Sequence, residues 1–127
     1  DALRDMIPGE KLQGYIEKGT IQIAPLAFMR GRTLDNAFVI LDEAQNTTHA
    51  QMKMFLTRMG KNAKFLLTGD PGQIDLPRRM ISGLKESLLI LKNTKGIEII
   101  YLDDKDVIRH PLVKKIIDAY KTIEHDN

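Results

Sequence analysis

Cysteine and tryptophan are absent from these 127 residues, and the aromatic complement is four phenylalanines and three tyrosines. Without cysteine there is no disulfide and no thiolate metal site. No apolar run approaches the roughly 18 to 20 residues that a membrane-spanning helix needs, so no membrane partner is expected and the cytoplasm is the expected compartment. Charge of one sign is also scarce, since 19 Lys and Arg against 17 Asp and Glu leave a formal charge of only +2. With no stripe in which basic and aromatic residues interleave, composition supplies no platform for single-stranded nucleic acid. His49, His110 and His125 do not cluster, which argues against zinc, and Asp103, Asp104 and Asp106 lack the glycine and terminal glutamate of a calcium loop. The opening Asp1 to Met6 has neither a signal-peptide pattern nor an initiator methionine, and is expected to lie inside a longer gene product.

What is present is a 43% hydrophobic chain of the size of one domain, 1–127, with enough apolar side chains for a core. Four short apolar or β-branched runs, Thr20 to Ala24, Ala37 to Leu41, Lys64 to Thr68 and Ile97 to Leu102, are read as strands. The middle two are nearly continuous, as suits strands buried on both faces. Helical spacing appears in Met52, Phe55, Leu56 and Met59, in Leu84, Leu88 and Leu91, and in Val113, Ile116, Ile117 and Tyr120. Thr48 with Gln51 forms a capping-box pattern, Gly60 is placed as a C-terminal cap, His110 as a cap, and Pro111 in a first helical turn. Alternating strands and helices imply an α/β fold with a mostly parallel sheet covered by helices.

In such sheets ligands bind beyond the carboxyl ends of the strands, so the residues just after each run are the ones to read for chemistry. Phe38-Val39-Ile40-Leu41 leads directly into Asp42-Glu43, an apolar strand with two adjacent carboxylates at its tip. This is the shape of a Walker B motif: Asp42 would hold magnesium, usually through its water, and Glu43 would orient the water that attacks a terminal phosphate. Two acids entering a loop or helix are the structural alternative. Phe65-Leu66-Leu67-Thr68 runs into Gly69-Asp70-Pro71-Gly72-Gln73, where a neutral glutamine can hydrogen-bond both a γ-phosphate and the attacking water. A plain β-turn is the alternative there. The two strands together favour the phosphate-handling reading over either motif alone.

The strings Met29-Arg30-Gly31-Arg32-Thr33-Leu34, Leu41-Asp42-Glu43-Ala44-Gln45-Asn46-Thr47-Thr48, Gln51 to Arg58, Thr68-Gly69-Asp70 with Gln73 to Pro77, and Arg109-His110-Pro111 resemble the PhoH family across nearly the whole chain. The resemblance implies a three-layer RecA-like P-loop ATPase core, related to that of superfamily 1 helicases, in a cytoplasmic bacterial protein described as phosphate-starvation-inducible. It implies ATP and Mg as cofactors, Asp42 on magnesium, Glu43 and Gln73 in the catalytic step, and Asp70 beside the nucleotide. Arg32 and Arg109 lie inside family-like strings and are the candidates to reach phosphate, in trans if the protein assembles as a homo-oligomer. Solvated or carboxylate-paired arginines are the alternative. Arg30 is a weaker candidate of the same kind, and Arg78 and Arg79 read as a solvated helix entrance, with contact to nucleic-acid backbone as the alternative. RNA remodelling follows only by analogy with helicases.

One departure matters. The family's Walker A loop, G-x-x-x-x-G-K-[ST], has no counterpart here: Gly60-Lys61 is followed by Asn62, and Gly31-Arg32-Thr33 lacks the lysine. In a RecA-like sheet the Walker A strand lies between the strands ending at Thr68 and Leu102, so these residues are expected to be part of a longer polypeptide that hydrolyses ATP. By themselves they are expected to be inactive, and a non-catalytic interaction domain is the alternative if they are complete.

Overall fold

The computed structural model describes residues 2–125; His125, expected in a polar tail, and Asp104 lie outside the described side chains. The chain forms two compact units, Asp1–Asn93 and Thr94–Asn127. The first contains helices α1 (Ala2–Met6) and α2 (Gly9–Glu17), strand β1 (Phe38–Leu41), helix α3 (His49–Leu56), strand β2 (Lys64–Leu67) and helix α4 (Gly83–Ile90). Short 3-10 turns occupy Leu26–Met29 and Ala44–Asn46. The second unit holds a 3-10 turn at Asp104–Asp106 and helix α5 (Pro111–His125).

The fold is α/β with a small parallel sheet, in which β1 pairs with β2 in the register Phe38↔Lys64 to Leu41↔Leu67. Hydrogen bonds from Lys64 N to the Ala37 carbonyl and from Thr68 N to the Leu41 carbonyl, each 2.9 Å, carry the pairing to both ends of the expected runs. A crossover through α3 joins the two strands, as parallel neighbours require. Alternate strand residues, Val39, Leu41, Phe65 and Leu67, are half-buried, while Phe38, Ile40 and Leu66 on the other face are exposed. The strands are therefore covered on one face, not on both as the continuous apolar runs suggested.

The covered face meets a core of Ala44, Met52 and Leu84, with Leu41, Leu56, Leu67 and Leu88 packed around it. Phe55 and Phe65 add a ring contact with centroids 5.0 Å apart, tying α3 to β2. Burying side chains such as Met52 and Phe55 stabilises by about 1.5–3 kcal/mol each. The expected stripes on α3 and α4 thus face the sheet through Met52, Leu56, Leu84 and Leu88, while Leu91 is the C-cap of α4 and Met59 lies beyond α3, where Leu34 and Met59 form an isolated parallel bridge.

Punctuation agrees at three points. Thr48 caps α3: its hydroxyl accepts from Gln51 N at 3.2 Å while Gln51 Oε1 accepts from Thr48 N at 3.0 Å. Pro111 opens α5, and His110 Nδ1 accepts from Leu112 N at 3.1 Å.

Three expectations are corrected. Thr20 to Ala24 and Ile97 to Leu102 are not strands, because a strand exists only through its ladder and neither run has a pairing partner among the described residues. Gly60 is not the cap of α3, which ends at Leu56 with Thr57 following. Gly60 N instead donates to the Leu34 carbonyl at 3.0 Å, and a Cβ at Gly60 would lie 2.8 Å from Thr33 Cγ2, so close approach is what suits glycine there. On α5 the apolar stripe is present, but Val113, Ile116 and Tyr120 are exposed.

Candidate functional site

The ends of β1 and β2 deliver Asp42 and Thr68 side by side. Leu41 and Leu67 are in register, so the residues after them leave the sheet at one level. Asp42 Oδ1 accepts from Thr68 Oγ1 at 2.8 Å and from Glu43 N at 2.9 Å. Two donors on one oxygen fix the carboxylate and leave Oδ2 without a partner among the described residues. An oxygen so held is a hard donor that suits a hydrated divalent cation. No group of three or more potential ligands occurs among the described residues, so a cage made of protein alone is not what this site offers.

Glu43 sits at φ 54, ψ 40, the left-handed region that a residue with a long side chain seldom adopts. Strain of this kind, of order 1–3 kcal/mol, persists only where neighbouring contacts hold it. Here Ala44 N donates to the Thr68 carbonyl at 2.9 Å, pinning the turn to the end of β2. The Glu43 side chain is exposed, and its Oε2 accepts from Gln45 Nε2 at 2.5 Å.

Gln45 is 1% exposed. Its other amide atom, Oε1, accepts from Asp70 N at 3.1 Å, and its carbonyl accepts from Ser82 Oγ at 2.7 Å. Asn46 Oδ1 accepts from Asp75 N at 2.8 Å, and the Thr47 carbonyl accepts from Gly83 N at 2.6 Å. The turn after the two carboxylates is thereby knitted to the whole stretch from Thr68 to Gly83. Sequence reasoning passed over Gln45; its signal was only its place two residues after Glu43, and nothing local reveals that a glutamine there is buried.

The second motif is a turn: Asp70 Oδ1 accepts from Gly72 N at 2.8 Å and Gln73 N donates to the Asp70 carbonyl at 3.0 Å. Asp70 and Gln73 are exposed, and the turn meets the first motif through Gln45. Asp70 spends its Oδ1 on the turn itself, and the Gln73 carboxamide has no hydrogen-bond partner among the described residues. Arg32 is exposed beside Gly31, which turns the chain at φ 77, and makes no hydrogen bond or ion pair to Asp42, Glu43 or Asp70 among the described residues. Arg109 is exposed in the second unit. Arg78 and Arg79 are exposed ahead of α4, as expected of a solvated entrance. Within the first unit the structure thus joins Asp42, Glu43 and the Asp70 turn, and does not join Arg32 to them among the described residues.

A concavity of about 370 Å³ lies elsewhere, along the seam of α3 and α4, lined by Met52, Leu56, Gly83, Glu86 and Ile90 among others. His49 Nδ1 and Glu86 Oε1 are hydrogen-bond partners at its edge. None of Asp42, Glu43, Asp70 or Gln73 lines it, and its walls are packing residues of two helices.

A family model described as "PhoH-like protein" matches residues 1–121. The chain belongs to the PhoH-like family. A PhoH-like protein of Bacillus subtilis (strain 168) is 59% identical over 120 residues, covering 94% of this chain and 38% of that protein. One from Synechocystis sp. is 54% identical over 125 residues, 98% of this chain and 38% of its own length. Protein PhoH of Escherichia coli (strain K12) is 48% identical over 104 residues, 82% of this chain and 29% of that protein. The chain therefore spans less than two fifths of these PhoH-like relatives. No helix among the described residues is long and apolar enough to cross a membrane.

Proposed function

We propose that these residues form the Walker B side of an ATP-hydrolysing site, completed by a phosphate-binding loop supplied by sequence outside the 127 residues. The observation that carries this reading is the fixed Asp42 carboxylate at the tip of paired parallel strands, with Glu43 next to it in a left-handed conformation. The oxygen donors present fit magnesium, which is commonly held by one or two carboxylates together with water and substrate phosphates. Bound as MgATP, the ion would supply neutralisation of phosphate charge.

The chain's own residues then divide the work. Asp42, buttressed by Thr68, would hold the hydrated ion. Glu43 orients the attacking water and takes its proton, a role worth about 10²–10⁴-fold in rate. Gln73, exposed and free to hydrogen-bond, senses the γ-phosphate from the Asp70 turn. The exposed apolar face of Phe38, Ile40 and Leu66 is what the third layer of a RecA-like core would cover, which supports that architecture for the whole protein. Roles for Arg32 and Arg109 rest on family resemblance.

The test is magnesium-dependent ATP hydrolysis by the full-length protein. Glu43→Gln should retain ATP binding and lose at least about 100-fold in turnover, and Asp42→Asn should weaken the magnesium dependence. Hydrolysis indifferent to Glu43 would overturn the mechanism, and no hydrolysis by the full-length protein would favour a non-catalytic interaction domain.

A further inference from the structure

The largest side chain that is fully buried among the described residues is polar. A buried glutamine is costly unless its amide is satisfied, and Gln45 satisfies its amide in a particular way. Its Nε2 donates to Glu43 Oε2 at 2.5 Å and its Oε1 accepts from Asp70 N at 3.1 Å. The orientation of the amide follows from these partners: reversed, it would set oxygen against carboxylate and N–H against N–H.

The surroundings leave the amide no room to swing. A Cβ at Gly69 would lie 2.7 Å from Gln45 Oε1, so the turn's backbone approaches the carboxamide as closely as glycine permits. The Gln45 backbone is held as well, through its carbonyl on Ser82 Oγ at 2.7 Å. One rigid planar group thus has one end on the Glu43 carboxylate and the other on the turn that carries Asp70 and Gln73. Displacing either end breaks a hydrogen bond of a buried amide.

We propose that Gln45 is a positioning residue that couples the orientation of the Glu43 carboxylate to the position of the Gly69–Gln73 turn. The coupling rests on the ATPase reading for its effect on catalysis, and on geometry alone for its effect on the turn. When Gln73 engages a terminal phosphate and the turn settles, Gln45 holds the carboxylate in its water-orienting pose; when the turn moves away, the carboxylate loses that restraint. Because coupling is reciprocal, loss of the Glu43 side chain must loosen the turn.

The experiment uses the full-length protein. Gln45→Met keeps the length of the side chain and removes both hydrogen bonds; it should lower kcat for ATP by roughly 10- to 100-fold, with the Kd for a non-hydrolysable ATP analogue within about threefold of the parent. Gln45→Glu keeps an acceptor for Asp70 N and loses the donor to Glu43, so it should lower kcat and, like Glu43→Ala, speed amide exchange in the 69–73 peptide. Glu43→Ala, at an exposed position where folding is not at stake, should speed amide exchange in that peptide at least about threefold, with or without ATPase activity. Unchanged exchange in Glu43→Ala overturns the coupling, as does a parental kcat in Gln45→Glu alongside an inactive Glu43→Gln. A loss in Gln45→Met that falls equally on kcat and on analogue binding reduces Gln45 to a structural residue. Full turnover in Glu43→Gln instead removes Glu43 from the catalytic step and leaves the exchange measurement to decide the link by itself.

Discussion

Gly69 shows how much of this site is decided by the absence of one atom. Its backbone lies so near Gln45 and α4 that an added Cβ would sit 2.7 Å from Gln45 Oε1, 2.7 Å from Leu84 Cδ2 and 3.1 Å from Gln45 N. Two of these three atoms belong to a residue pinned by hydrogen bonds at both ends, so relaxation is confined to the leucine. Gly69→Ala is expected to destabilise the full-length protein by about 1–3 kcal/mol through overpacking, measured by denaturant unfolding. It should also disturb the Gln45 amide, so its ATPase activity should fall further than its stability predicts. A Gly69→Ala protein as stable as its parent would mean that the turn is looser than these distances indicate.

At the scale of elements, the features legible in the sequence are those whose cause is local. The capping box of Thr48 and Gln51, the proline that opens α5 and the His110 cap each involve residues within three positions of one another, and all are present. The strand runs at 38–41 and 64–67 were legible because each is apolar and each pairs with the other. The runs at 20–24 and 97–102 have similar composition, but pairing is a non-local event that composition does not report. The short helices α1 and α2 went unread, and α2 has no side-chain cap at Pro8 to mark its start. The strand-tip carboxylates were legible from spacing, whereas Gln45 was not, because burial of a polar side chain is set by what packs over it. The local cap also carries a measurable energy: Thr48→Ala removes one hydrogen bond to Gln51 N and breaks the reciprocal pair, so it should cost about 1 kcal/mol in denaturant unfolding. No loss would show that α3 is held by its packed face, through Met52 and Phe55, and not by its end.

For the first unit taken whole, the balance between its two sheet faces is the governing feature. One face is closed by α3 and α4 over Met52 and Leu84, while Phe38, Ile40 and Leu66 on the other are 63%, 57% and 46% exposed. Those three side chains belong to adjacent strands, and in the register of the sheet Ile40 pairs directly with Leu66, so they form one continuous apolar patch. Each strand also has an open edge, since the described sheet is two strands wide. An apolar face beside unpaired backbone is the combination that promotes association between chains. The 127-residue polypeptide alone is therefore expected to self-associate, and Ile40→Thr with Leu66→Thr should suppress this, since threonine keeps the β preference and removes the apolar patch. Sedimentation velocity of the two polypeptides decides the point. A parent that stays monomeric would show that the face is tolerated in water, and would weaken the proposal that a further layer covers it in the complete protein. Association that the double substitution abolishes would locate the adhesive surface on the face opposite α3 and α4, where the proposed RecA-like core needs another layer.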